Sequence, residues 1–304
     1  MVATGNADQL FLGLDVGGTH VTTATVRPAA SGYDVGEPQR FDVDSTRDAD
    51  SILGELAGAI RSTIDPASVA GIGIAMPGPF DYPRGISLIR GLAKFDALYG
   101  MDVGAALRGR LDLGAEKPIV FGNDCNAFVL GEWLAGAAVG RKHVIGFTLG
   151  TGFGSGFLAD GGIVQDGDGL PPDTTLGFVP YREGIAEDYI SRRGLRKLYV
   201  LAGGAEAYDV ADIARAARDG EERALALFNE LGVMTAEVVA PFAKTFSADA
   251  IVIGGSISRS YDLFRGPLES GMPAGVVITL AGLPHTAGLI GAAELARRSL
   301  EPGR

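Results

Sequence analysis

The chain has 304 residues, 46% hydrophobic and 21% charged, with a formal net charge of −11. That length exceeds the usual reach of one hydrophobic core, so two compact domains with a ligand-binding cleft are expected and a disordered chain is excluded. The acidic balance excludes a nucleic-acid partner, which needs a basic face, and the single cysteine, Cys125, excludes an internal disulfide and suits a reducing, cytoplasmic setting.

The opening MVATGNADQ has no basic segment followed by an apolar run, and the apolar stretches are strand-sized, so neither export nor a membrane span is expected. Residues 10–27 predict two strands, LFLGLDV and HVTTATVR, joined at Gly17-Gly18-Thr19. A third strand is expected within 33–43. A helix is expected over 49–64, where Ile52, Leu56, Ala59 and Ile60 recur at helical spacing until Asp65-Pro66 stops them. The buried strand VAGIGIAM ends at Pro77-Gly78-Pro79, and residues 80–117 read as irregular.

The strand PIVFG then delivers the chain to Asn123-Asp124, which opens an apolar helix expected to run to Ala138, with Trp133 on its core face. HVIGFTLG and FGSGFLAD form a second pair of strands around Gly150-Thr151-Gly152, and this echo of the first pair predicts two similarly built halves. Residues 160–183, with five glycines and three prolines, read as loop. Helices are predicted over 184–193, 210–219 and 222–246, followed by the strand AIVIGG and a helix from about Ser258. The strand AGVVITL and a last helix from about Ala287 to Leu300 complete an α/β pattern, whose boundary topology places near residue 123.

Three glycine turns invite a phosphate chain. Asp15-Val16-Gly17-Gly18-Thr19 offers unhindered backbone N–H groups and a hydroxyl at a strand end, with Asp15 in reach of a magnesium ion directly or through water. A tight hairpin alone would explain it. Gly150, Thr151 and Gly152 repeat the arrangement, and a third step, Gly254-Gly255, follows the strand AIVI. Together they predict an ATP site. The chain has no P-loop motif, and strand rather than helix follows each turn, which excludes the dinucleotide fingerprint.

Phosphoryl transfer to a hydroxyl needs a carboxylate near the attacking oxygen. Asp124, at a strand-to-helix junction between the two glycine hairpins, is the candidate base, and Asn123 is placed to orient a hydroxyl of the acceptor. Helix capping is the competing role for both. Glu187, read as early in a helix, either accepts acceptor hydroxyls or complements the helix dipole. Cys125 reads as a packing residue, and the isolated His20, His143 and His285 make a metal site built on histidine and cysteine improbable.

In this order, LGLDVGGTHVTTATV, GIGIAMPGPFD, FGNDCNAFVLGEWLAGAA, FTLGTGFGSGFLADGGIV and IVIGGSIS resemble the ROK family (repressor, open reading frame, kinase) over nearly the whole chain. The resemblance implies the actin-like ATPase fold of hexokinases, with two α/β domains around a cleft. The last helix would return to the N-terminal domain, giving residues 1–123 plus 287–304 and residues 124–286. It also implies ATP and magnesium as cofactors, phosphorylation of a hexose or amino sugar, and a homodimer. By motif, Asp15, Gly17, Gly18, Thr19, Gly150, Thr151 and Gly152 would hold phosphates and Gly254 and Gly255 would flank adenosine. Gly78, Asn123, Asp124 and Glu187 would face the sugar, with Asp124 the base.

One stretch departs from the family pattern. Where the family carries Glu-x-Gly-His and a cysteine-rich zinc motif, this chain reads TTLGFVPYREGIAEDY, with Thr175 and Phe178 in place of Glu and His, so no zinc is expected and two usual sugar contacts are missing. A ROK repressor is disfavoured, because about nine residues precede the first strand and leave no room for a helix-turn-helix. A catalytically weak sugar-binding sensor or scaffold is the remaining alternative.

Overall fold

In the computed structural model, which describes residues 9–30 and 32–301, β1 (Phe11–Val16) and β2 (His20–Ala29) form the expected antiparallel hairpin. The strand expected within 33–43 is two short ones, β3 (Gly32–Val35) and β4 (Gln39–Asp42), each paired with β2. Pro38 lies in the break and has no N–H to give to a ladder. Helix α1 (Ala49–Thr63) starts where the Asp48 carboxylate accepts from the Ser51 N–H at 2.9 Å, and it buries Ile52, Leu53, Leu56 and Ile60.

Strand β5 (Gly71–Met76) is buried throughout, as a central parallel strand requires. A small hairpin follows, β6 (Phe80–Asp81) with β7 (Ile86–Ser87). Within the stretch read as irregular lies α2 (Val103–Leu111), capped by Asp102 and burying Val103, Leu107 and Leu111. Gly104 and Gly109 dilute its pattern, which is why spacing alone did not expose it. Strand β8 (Ile119–Asn123) leads into α3 (Asp124–Ala135), which stops three residues short of Ala138, at Gly136.

After α3 come β9 (His143–Leu149), β10 (Phe153–Ala159) and β11 (Gly162–Val164), then the two-residue strands β12 (Pro180–Tyr181) and β13 (Gly184–Ile185). The helix expected over 184–193 is corrected by the structure. Residues Ala186–Asp188 make a single 3₁₀ turn, and α4 (Arg192–Leu201) begins later because the Ser191 hydroxyl caps it, accepting from the Gly194 N–H at 3.2 Å. Helices α5 (Val210–Arg218) and α6 (Glu222–Thr245) precede β14 (Ala250–Gly254), α7 (Tyr261–Ser270), β15 (Val277–Leu280) and α8 (Ala287–Arg298).

Two compact units result. The described residues through Ala135 and those from His285 onward form the first, and Gly136–Pro284 the second. The sequence-based boundary at residue 123 assigned α3 to the second unit, whereas α3 packs on α8 inside the first. The first sheet runs β3-β2-β1-β5-β8 with β4 also on β2, and the second runs β11-β10-β9-β14-β15. In each, an antiparallel hairpin is continued by two parallel strands, so the halves share one plan.

Close backbone approach holds the first unit together. A Cβ on Gly73 would lie 1.8 Å from the Ala292 carbonyl oxygen, one on Gly13 2.2 Å from that of Leu289, and one on Gly291 1.9 Å from that of Ala127. Helix α8 therefore lies with its backbone on β1, β5 and α3. Its buried Glu294 carboxylate receives Arg297 at 2.6 Å, Arg298 at 2.7 Å and the Tyr33 hydroxyl of β3 at 2.9 Å, which satisfies a charge taken from water. Among the described residues, α6 is the one helix long and apolar enough to cross a membrane, and its Leu227, Phe228, Leu231, Val238 and Val239 fill the core of the second unit.

Candidate active site

In the first unit the candidate residues gather at the carboxyl ends of parallel strands, the edge of an open α/β sheet where ligands bind. Asp15 on β1 pairs in register with Ala75 of β5, and Met76 of β5 pairs with Asn123 of β8, so Asp15 and Asn123-Asp124 flank one strand end. The Gly17 N–H donates to the His20 carbonyl at 2.8 Å and closes the turn. A Cβ on Gly18 would meet its nearest atom at 3.6 Å, an ordinary contact. Neither backbone strain nor packing demands glycine at 18, where a side chain would meet only ordinary contacts with Ser45 and Lys94.

Capping at the β8–α3 junction falls mainly to one of the two neighbours. Asn123 is the cap, its Oδ1 accepting from the N–H groups of Cys125 at 2.9 Å and Asn126 at 3.1 Å. The Asn123 amide also donates to the Tyr82 hydroxyl at 3.2 Å, and Tyr82 donates to the Met76 carbonyl at 3.1 Å. Tyr82 was not foreseen; it lies in a loop without periodicity, and only the folded chain brings it to Asn123 and to Gly78, whose Cβ would sit 3.2 Å from the phenol oxygen. Asp124 accepts from the Cys125 N–H at 2.9 Å and stays partly exposed, so the helix has its cap without engaging both carboxylate oxygens.

Protein crowds Asp15 although part of its side chain keeps solvent contact. Desolvation first, and the charge of Asp124 second, push its carboxyl from the ordinary 3.8 up to about 6. An acid with a raised folded-state value destabilises the fold once it ionises, so this cost is absent near pH 3.8, grows through the window to about 6 and is complete above it. Asp15→Asn is therefore expected to melt higher than the wild type at pH 8 without nucleotide, by about 1 kcal/mol after allowance for solvent screening. The difference should vanish toward pH 4. Equal melting at pH 8 would refute the raised Asp15 carboxyl.

In the second unit the other two glycine steps meet. The Gly150 N–H donates to the Gly152 carbonyl at 3.1 Å, and the Gly150 carbonyl accepts from the Arg192 N–H at 2.8 Å at the start of α4. Gly254 ends β14 opposite Thr148 of β9, and Gly255, with φ of 85°, backs onto Leu149, where a Cβ would strike the carbonyl oxygen at 2.3 Å. Thr151 is exposed between its glycines. Glu187 sits in the 3₁₀ turn ahead of α4, not inside a helix as expected, so the dipole role is lost. Its Oε2 accepts from the Phe153 N–H at 2.9 Å, just after the glycine turn.

Thr175 links two 3₁₀ turns and Phe178 ends the second; they are stitched to β10, where Ser155 donates to the Thr174 carbonyl and accepts from the Leu176 N–H, both at 2.8 Å. The Thr175 hydroxyl is spent on the Asp173 carbonyl at 3.1 Å, and the Phe178 ring is exposed. Beyond them the β12–β13 hairpin places the Arg182 guanidinium over Tyr181 and Tyr189 at 5.2 and 5.3 Å, with Glu230 at 3.0 Å. Among the described residues no group of three or more His, Cys, Asp or Glu side chains is gathered to hold a metal ion.

One sheet plan used twice, with a glycine-turned hairpin opening each copy, defines a protein of the actin-like ATPase fold. The chain belongs to the ROK family, whose model matches residues 11–299. It is 27% identical to a glucokinase of Thermotoga maritima, over 95% of this chain and 98% of that one. It is 25% identical to an N-acetyl-D-glucosamine kinase of Pectobacterium atrosepticum, over 84% and 86%. The structure of a ROK family glucokinase from Streptomyces griseus, in complex with glucose and AMPPNP, superposes with a TM-score of 0.74 at 25% identity, covering 95% of this chain and 99% of that one.

Proposed function

We propose that the chain is an ATP-dependent sugar kinase acting on a hexose or an amino sugar, with Asp124 as its base. The observation that carries this reading is the pair Asp15 and Asp124 at one sheet edge, one carboxylate raised by its surroundings and the other released from capping by Asn123. In the reaction the sugar hydroxyl oxygen attacks the γ-phosphorus, the bond to the β–γ bridging oxygen breaks, ADP departs, and the hydroxyl proton passes to Asp124. Asn123, braced by Tyr82, and Gly78 line the sugar's approach, with Glu187 as a further hydroxyl acceptor.

The turns at Gly17-Gly18-Thr19 and Gly150-Thr151-Gly152 hold phosphates and Gly254-Gly255 flanks adenosine. Burial and the neighbouring Asp124 charge disfavour the ionised Asp15 carboxylate, and a divalent cation carried by the nucleotide would relieve that, so Asp15 fits magnesium. Magnesium supplies charge neutralisation on the phosphates. The enzyme is cytoplasmic and homodimeric in this reading.

A panel of hexoses and N-acylated amino sugars tests it through ADP release. Sugar-dependent release with at least one member is expected. Sugar binding without any release would instead favour the sensor, a reading drawn from Thr175 and Phe178, which supply neither a carboxylate nor an imidazole.

A further inference from the structure

The chain carries a net charge of −11, and two carboxylates stand at the sheet edge of the first unit, so an anionic phosphate chain needs a local cation there. Thr19 and the glycine N–H groups bring none. Lys94, on the irregular segment before α2, does. Its Cδ and Cβ lie 3.8 and 4.0 Å from where a Cβ on Gly18 would stand, so its apolar stem packs beside the glycine turn. Among the described residues no hydrogen bond or ion pair engages its ammonium.

The backbone around Lys94 is held in an unfavourable shape. Ala93 and Phe95, on either side of it, have φ of 55° and 56°, a left-handed conformation that side-chain-bearing residues rarely adopt. Such strain persists only where surrounding contacts enforce it, and it concentrates at ligand sites. The contacts are present. The Asp96 carboxylate accepts from the Leu92 and Ala93 N–H groups at 3.4 and 3.1 Å. Ser45 ties the segment to the turn, its carbonyl accepting from the Phe95 N–H at 2.7 Å and its hydroxyl donating to the Gly18 carbonyl at 2.5 Å. Phe95 itself is wholly buried, which anchors the segment beside the turn.

We propose that Lys94 is a phosphate-binding residue of this chain, its ammonium neutralising the phosphates of the nucleotide at the Gly17-Gly18-Thr19 turn. The proposal rests on the kinase reading above and adds to it a cation supplied by the chain itself beside the magnesium that the nucleotide carries. A lysine suits this role as a mobile point charge on a long stem, able to follow the phosphates as they rearrange.

The test is calorimetric titration of wild type, Lys94→Met and Lys94→Arg with ATP, ADP and adenosine in the presence of magnesium. Lys197→Met serves as the charge control, on an exposed position of α4 in the second unit. Methionine keeps the apolar stem, so folding is expected to survive, and a melting curve checks it. Lys94→Met should bind ATP roughly tenfold more weakly, the usual worth of a charge-assisted contact, with adenosine affinity unchanged and the sugar KM near the wild type's. Lys94→Arg should recover most of the loss and Lys197→Met should show none.

Unchanged ATP affinity in Lys94→Met, or an equal loss for adenosine, overturns the role of Lys94 while leaving the kinase reading intact. If the wild type itself fails to bind ATP, the kinase reading falls and the proposal with it.

Discussion

Asp124→Asn is expected to lower kcat by about 10²–10⁴-fold, the usual contribution of a positioned general base, while the protein folds and binds ATP as the wild type does. The amide keeps the shape of the carboxylate and an oxygen for the Cys125 N–H, but it cannot take a proton from a sugar hydroxyl. Folding should survive because the helix cap belongs to Asn123, whose side-chain oxygen serves both Cys125 and Asn126. Loss of the Asp124 charge also removes one of the two causes that raise Asp15. Initial rates of ADP release, read beside nucleotide titrations and a melting curve, check this. Turnover close to the wild type's would take Asp124 out of the chemistry.

The largest stability effect is expected at Gly73. Adding one methyl there places a carbon 1.8 Å from the Ala292 carbonyl oxygen and 2.3 Å from its carbon, backbone atoms of α8 that have no rotamer to change. Relief requires α8 to lift off the sheet, against packing that includes Gly13 on Leu289 and Gly291 on Ala127. Gly73→Ala should cost at least about 3 kcal/mol, a large share of the roughly 5–15 kcal/mol that holds a domain folded. Gly54→Ala is the matched contrast: it lies inside α1 with nothing within 4 Å of its added methyl, and it should stabilise by about 0.5–1 kcal/mol. Urea unfolding of both variants decides the matter, and a Gly73→Ala midpoint equal to the wild type's would contradict the close approach of α8.

The features legible in the sequence are those whose signal is local. Alternation in β2 and the unbroken apolar run of β5 report directly which faces are buried. Asn123-Asp124 was visible because a strand pattern changes to a helical one there, and the doubled glycine hairpin because it occurs twice. What stayed hidden depends on partners distant in the chain. Ile185, Ala186, Tyr189 and Ile190 imitate helical spacing, but the Ser191 cap starts α4 only after them, so Glu187 stands on a turn. Tyr82, Lys94 and Ser45 carry no pattern at all, since their importance lies in which backbone or side chain they reach. Gly13, Gly73 and Gly291 read as weak points of strand and helix, whereas in the fold their lack of a side chain lets two backbones touch.

Helix α8 belongs to the first unit yet is translated after the whole of the second. During synthesis the sheet of β1, β5 and β8 lacks the helix whose backbone packs on Gly13 and Gly73 until residues 287–298 are made. Folding of the two units is thus ordered against their order of synthesis: the stretch made first is completed last, and a ribosome that stalls in the second unit leaves the first one open.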